Sequence, residues 1–200
     1  MSDSSLLPDD PTRRSALLTT CAVGAAGGAA VAWPFLKSLK PSERALAAGA
    51  PVEVDIGSLA PGELKRVEWR GKPVWVLRRT AAMLASLRGH DADLADPQSA
   101  RSVQPAAARN ETRSLQPDLL VAVGICTHLG CVPDFFPELK PEPFDPNWKG
   151  GFYCPCHKSR YDMAGRVFEG VPAPANLAVP KYHFVDDAHI LIGVDPEGKA

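Results

Sequence analysis

The chain has 200 residues, a formal net charge of −1 and 45% hydrophobic residues. That length allows one modest domain plus an anchoring segment. The near-zero charge gives no electrostatic case for a nucleic-acid partner, and none is expected.

Residues 1–14 are polar and end in Thr12-Arg13-Arg14, and residues 15–36 carry no charge. As a helix, that uncharged run spans about 33 Å, enough for a bilayer core, so a single transmembrane anchor is expected. Two arginines before a weakly apolar run read as a twin-arginine export signal, although Ala16 stands where such signals prefer phenylalanine. Arg13 and Arg14 place the N-terminus in the cytoplasm and the C-terminal domain in the periplasm, with the chain in the inner (plasma) membrane. Lys37 and Lys40 on the far side weaken that charge asymmetry slightly. Ala45-Leu46-Ala47 resembles a small-residue cleavage site. It lies beyond Pro41 and several charges, so the anchor is expected to be retained. Cys21, inside the apolar run, is expected to be a small buried hydrophobe. Residues 37–50 read as a flexible tether with a reach of about 45 Å when fully extended.

The head begins at Pro51. Val52–Ile56 alternates and reads as a strand. Lys65–Arg70 and Pro73–Leu77 read as strands joined at Gly71-Lys72. Trp75 is assigned to the core. Thr80–Leu87 is a short helix with Thr80 as N-cap. Residues 88–118 are irregular. They include the sequon Asn110-Glu111-Thr112, which is given little weight, and His90, taken as a solvated loop histidine. Leu119–Ile125 is an apolar strand leading to Cys126. A proline-rich loop, Val132–Trp148, is followed by Gly150-Gly151, which turns the chain into Phe152-Tyr153. Leu177–Val185 and His189–Val194 form a closing hairpin that turns at Asp186-Asp187. His183 and His189 on it are expected to be structural or exposed.

Four of the five cysteines fall in two motifs, C-T-H-L-G-C at 126–131 and C-P-C-H-K-S-R-Y at 154–161. Thiolate and imidazole together select zinc, copper or iron–sulfur sites over magnesium or calcium. Two cysteines and two histidines suit a structural zinc ion. They also suit a [2Fe–2S] cluster with cysteines on one iron and histidines on the other, and a zinc site would not need Cys131 and Cys156. In the cluster reading, replacing two thiolates by neutral imidazoles turns a dianionic oxidised centre into a neutral one. Adding an electron then costs less, and the potential is high.

The paired motifs resemble those of the Rieske iron–sulfur subunits of ubiquinol–cytochrome c oxidoreductases (cytochrome bc complexes). The resemblance covers the anchor, the tether and the head, and is strongest over 126–177. It implies an all-β head (51–200) of Rieske-type antiparallel sheets, with an inserted cluster-binding subdomain at about 126–177. Cys126 and Cys154 would bind one iron of a single [2Fe–2S] cluster, and His128 and His157 the other. Cys131 and Cys156 would form a disulfide. Ser159 and Tyr161 would donate hydrogen bonds to cluster sulfurs, and Leu129 would shield the cluster. His157 and His128 would make the proton-coupled contact with the quinol, His157 most directly. Gly170-Val171-Pro172-Ala173-Pro174 is similar to the family's proline loop, lengthened by Val171. Lys158 stands where the family usually has glycine, so it is strained if the backbone there needs positive φ.

By the same resemblance, the subunit accepts one electron from ubiquinol and passes it to a c-type cytochrome. The second electron goes to a haem of cytochrome b, and the dimeric complex contributes to respiratory proton translocation. The tether would let the head move between donor and acceptor. Two other Rieske classes share the ligands. Soluble ferredoxin or oxygenase domains usually lack the second cysteine pair, and the small subunit of a periplasmic oxidase needs no long anchor. A structural zinc module would be redox-silent.

Overall fold

The computed structural model describes residues 11–195. The chain divides into two units, residues 1–47 and 48–200. In the first, helix α1 runs over Pro11–Ser38 with no buried residue. It is long and apolar enough to cross a membrane. Leu17, Leu18, Val23, Val31, Trp33, Phe35 and Leu36 all stand exposed along it. A helix with apolar side chains on every face requires an apolar surrounding. Cys21 is exposed on this helix, which corrects its expected burial: among the described residues nothing covers the helix's side chains. The expected tether is not continuous coil. A short helix, α2, covers Glu43–Ala48, with Ser42 Oγ accepting from Ala45 N at 3.2 Å.

The second unit is built from three antiparallel three-stranded sheets. The first joins β1 (Val52–Asp55), β9 (His189–Ile192) and β8 (Tyr182–Phe184). The middle sheet joins β2 (Leu64–Trp69), β3 (Lys72–Arg78) and β4 (Leu119–Val123). The third joins β5 (Asp134–Phe136), β6 (Gly151–Cys154) and β7 (Ser159–Tyr161). The cluster-motif segment is therefore inserted between β4 and β8, which lie in two different sheets.

Side-chain alternation explains the layering. Val74 and Val76 of β3, with Leu119 and Val121 of β4, face a core shared with Val54, Ile190 and Ile192. Trp75, Leu77, Leu120 and Ala122 face the opposite core, shared with Phe152, Cys126, Cys154 and Tyr161. A sheet buried on both faces needs apolar residues at every position, which is why β3 and β4 read as unbroken apolar runs. Trp75 stacks on Phe152 with ring centroids 4.6 Å apart, tying the middle sheet to the third. Gly124, just after β4, makes room for that tryptophan: a Cβ there would lie 2.3 Å from the Trp75 ring.

Helix α3 (Ala81–Ala85) starts where expected, with Thr80 Oγ1 accepting from Met83 N at 3.2 Å, but ends before Leu87. The closing strand is shorter than the apolar pattern suggests. Leu177 N and Val179 N bond to the loop carbonyls of Gly165 and Val103 instead of to a strand, and Pro180 has no N–H to offer.

Candidate metal centre

The first motif leaves β4 in a tight loop. Cys126 N donates to Cys131 O at 2.7 Å, and Gly130 N to Cys126 O at 3.1 Å. Gly130 has φ +85°, a conformation glycine adopts without strain. The second motif is the β6–β7 turn. Cys154 pairs with Ser159 across the ladder, and Lys158 N donates to Cys154 O at 2.9 Å. Lys158 has φ +64°, so the condition for strain is met. A side chain in this region costs roughly 1–2 kcal/mol. A disulfide between Cys131 and Cys156 joins the two loops, with a Cα–Cα distance of 6.7 Å.

The loops bring the four expected ligand residues together. Cys126 and Cys154 are 3% and 1% exposed, so both thiols lie inside the core. His128 is half-buried and His157 exposed, and their rings meet edge to face with centroids 4.6 Å apart. The buried Nδ1 of His128 has no hydrogen-bond partner among the described residues. An orphaned buried nitrogen costs free energy unless something binds it. The Cys154 thiol is pushed up, first by burial and also by the adjoining Cys126 thiol. Thiols that resist ionisation alone become thiolates beside a metal cation. Two buried sulfurs, an orphaned imidazole nitrogen and an exposed imidazole therefore fit a metal-based group. Cys131, Cys154 and Cys156 also have sulfurs within 4.8 Å of one another. Two of these are locked in the disulfide and have no thiolate to give, so this trio is not a ligand set.

The surrounding hydrogen bonds point the same way. Tyr161, fully buried, donates its hydroxyl to Cys126 Sγ at 3.2 Å and accepts from Thr127 N at 3.1 Å. Burial and the Cys126 thiol hold the phenol protonated by pushing it up. Ser159 Oγ accepts from Ala173 N at 3.1 Å. This bond ties the proline loop to the β6–β7 turn and leaves the serine proton without an acceptor among the described residues. Thr127, which sequence reasoning passed over, donates to Ala175 O at 2.6 Å and so fastens the first motif to the same loop. Its place inside C-T-H was the available signal. Val171 packs on the cluster-side core, so the additional residue is accommodated. Leu129 is 70% exposed beside the histidines.

The residue most misread is His90. It is 3% exposed, with Nε2 at 3.4 Å from Asp162 Oδ2 and its ring stacked near Phe168 at 6.0 Å. It belongs to a buried polar network that clamps residues 162–166, immediately after Tyr161. Asp162 accepts from Ala164 N and Arg166 N, at 2.9 and 2.8 Å, and from Arg166 Nε at 2.7 Å. Arg79 donates to Met163 O at 3.1 Å, and Arg113 to Ala164 O and Gly165 O, each at 3.2 Å. Burial lowers both guanidiniums to about 10, well within the charged range at neutral pH. By contrast, His189 lies on the surface and pairs with Asp186 at 2.9 Å, as expected. His183 is half-buried.

A β-domain carrying paired cysteines and histidines on two disulfide-joined loops defines a Rieske-type iron–sulfur domain. The family description "Rieske [2Fe-2S] domain" matches residues 51–183. "Ubiquitinol-cytochrome C reductase Fe-S subunit TAT signal" matches residues 7–42. The "Ubiquinol-cytochrome c reductase iron-sulfur subunit" of Allochromatium vinosum is 54% identical over 183 residues, covering 92% of this chain and 88% of that protein. Its counterpart in Bradyrhizobium diazoefficiens is 44% identical, covering 92% and 96%. The chain belongs to the Rieske [2Fe–2S] family and, within it, to the ubiquinol–cytochrome c reductase iron–sulfur subunits, whose resident cofactor is a [2Fe–2S] cluster.

Proposed function

We propose that this chain is the iron–sulfur electron-transfer subunit of a cytochrome bc complex, taking one electron from ubiquinol and handing it to a c-type cytochrome. Cys126 and Cys154 would hold one iron and His128 and His157 the other. When bound there, the [2Fe–2S] group supplies a one-electron acceptor of high potential. The observation that carries the reading is the asymmetry of the donor set: both thiols are buried, while the His157 ring faces solvent. The buried side insulates the sulfurs, and the exposed ring nitrogen can accept a hydrogen bond or proton from a quinol hydroxyl. Tyr161 donates its hydroxyl to Cys126 Sγ, and Ser159, whose oxygen accepts from Ala173 N, would have its proton available for a sulfur of the group. Leu129 presents an apolar side chain beside His128, where it keeps water from the quinol contact. The disulfide holds the two loops in register.

The other electron of the quinol goes to a haem on a cytochrome b partner, and the complex is a dimer that contributes to proton translocation. Helix α1 anchors the subunit in the inner membrane. The N-terminus lies in the cytoplasm and the head in the periplasm, an oxidising compartment that suits the disulfide. Residues 39–50 link anchor and head.

The test is to assemble the full complex with Leu129→Asp. Ubiquinol-dependent reduction of cytochrome c should fall by at least about tenfold, a barrier change of roughly 1.4 kcal/mol. The paramagnetic signal of the reduced cluster should survive. Quinol oxidation at the wild-type rate would contradict the assignment of this face to the quinol.

A further inference from the structure

Among the described residues, four non-glycine residues hold left-handed backbone, Arg70, Ser99, Arg113 and Lys158, with φ between +50° and +64°. Such conformations persist only where something compensates them. In three of the four, the side chain does so within the protein. Arg70 lies over the Trp69 ring at 4.5 Å. Ser99 Oγ accepts from Asn176 at 2.9 Å. Arg113 bonds to Gln104, Ala164 and Gly165. Lys158 is the exception. It is exposed, and its ammonium has no hydrogen bond or ion pair among the described residues. The turn itself is closed by the backbone, Lys158 N donating to Cys154 O at 2.9 Å, and the side chain adds no contact of its own among the described residues.

The surroundings indicate what the ammonium is for. Lys158 borders a concavity of about 610 Å³ whose walls include Phe144, Tyr153, His157, Arg160 and Pro172. Phe144 and Tyr153 stack with centroids 4.0 Å apart and make one rigid side. The lining holds two cations and no carboxylate. The charge of Arg160 is already matched by its ion pair with Asp145. Lys158 is thus the uncompensated positive charge of a preformed recess that contains the exposed histidine of the metal centre.

We propose that Lys158 is a docking cation: it meets a carboxylate on the electron-accepting protein when that protein closes over His157. This rests on the electron-transfer reading given above and adds the chemistry of the partner surface. A charge at the rim of a transient interface acts mainly on encounter rate and orientation, and it is screened by salt. Lys158 is exposed and lines the same recess as His157, the exposed imidazole where donor and acceptor groups must approach.

The experiment uses the intact complex assembled with the full chain, reading the rate of cytochrome reduction across ionic strength, with the cluster midpoint potential measured in parallel. Lys158→Gln should slow cytochrome reduction by about three- to tenfold at low salt, and the difference should vanish near 0.5 M salt. Lys158→Arg should keep the wild-type rate. Lys158→Gly, which relieves the backbone, should be slowed like glutamine, so a folding effect cannot mimic the result. The proposal is overturned if Lys158→Gln equals wild type at low salt, or if its slowing is the same at every salt. It is equally overturned if the slowing is fully accounted for by a shifted potential. A wild-type complex that passes no electrons from ubiquinol to the cytochrome at any salt overturns the functional reading itself, and the docking proposal falls with it.

Discussion

The two faces of the middle sheet look onto two different interiors. The face toward β1, β9 and β8 is apolar: Val54, Val74, Val76, Val121, Ile190 and Ile192 meet there. The face toward the metal centre is also apolar at its middle, with Trp75, Leu77 and Phe152. Beyond it lies a buried network of His90, Arg79, Arg113, Asp162 and Arg166. The apolar base needs only volume and shape, and tolerates conservative change. The polar side must satisfy each group with a particular partner, because an unpaired buried charge is severely destabilising. It fixes residues 162–166, and through them the neighbouring Tyr161 that bonds to Cys126. Stability without specification at the base, and specification at the site, is the division of labour this fold displays.

The largest effect should come from Cys154→Ser. Removing one of two buried sulfurs should abolish cluster binding entirely, read as loss of visible absorbance and paramagnetic signal in purified protein. Next is Asp162→Ala, which takes away the buried carboxylate between Arg166 and His90, leaves Arg166 only its ion pair with Asp91, and should cost about 3 kcal/mol. Burial alone would raise the Asp162 carboxyl, but the nearby His90 ring and the bonds and charge of Arg166 outweigh it and hold it below its ordinary value. A depressed carboxyl stabilises the fold above the unfolded value of about 4. That stabilisation is lost as pH falls through the lower folded value. Thermal unfolding from pH 7 to pH 3 should therefore show an acid-side decline in wild type that the variant has already lost at neutral pH. An unchanged profile would break the contrast between the two interiors.

A smaller effect is expected for Tyr161→Phe. Deleting a hydroxyl donor to the Cys126 sulfur should lower the midpoint potential by roughly 30–60 mV, the one-electron equivalent of a hydrogen bond of about 1 kcal/mol. Potentiometric titration reads this directly. At the base, Ile190→Val should cost about 1 kcal/mol and leave the potential untouched. A potential that moved with Ile190 would show that the two sides are not independent.

The legible parts of this chain were those with one dominant physical signal. β3 and β4 announced themselves as apolar runs because both their faces are covered. The hairpin at Asp186-Asp187 and the cap at Thr80 are local chemistry. The fold brings the two motifs, 126–131 and 154–161, together at one place, joined by the Cys131–Cys156 disulfide and the contact of the His128 and His157 rings, and that juxtaposition was legible because thiol and imidazole at such spacing suit few purposes other than metal binding. What stayed hidden depends on distant partners. β5 and β7 are three residues each, too short for periodicity, and exist because β6 pairs with both. His90 read as solvated because nothing near it in sequence foretells Asp162, 72 positions away. The buried arginines likewise look like surface charges until residues 162–166 fold against them. α2 formed in a stretch read as tether, where the local preference of Glu43-Arg44-Ala45-Leu46 prevails.

The most direct test of the central claim is pulsed electron paramagnetic resonance of the holo protein, reduced with ascorbate and labelled with ¹⁵N-histidine. The account predicts a [2Fe–2S] signal already formed by this mild reductant, with couplings to two histidine nitrogens, and loss of the signal in both His128→Ala and His157→Ala. A cluster reduced only by dithionite and lacking histidine couplings, or a silent sample containing zinc, would contradict it.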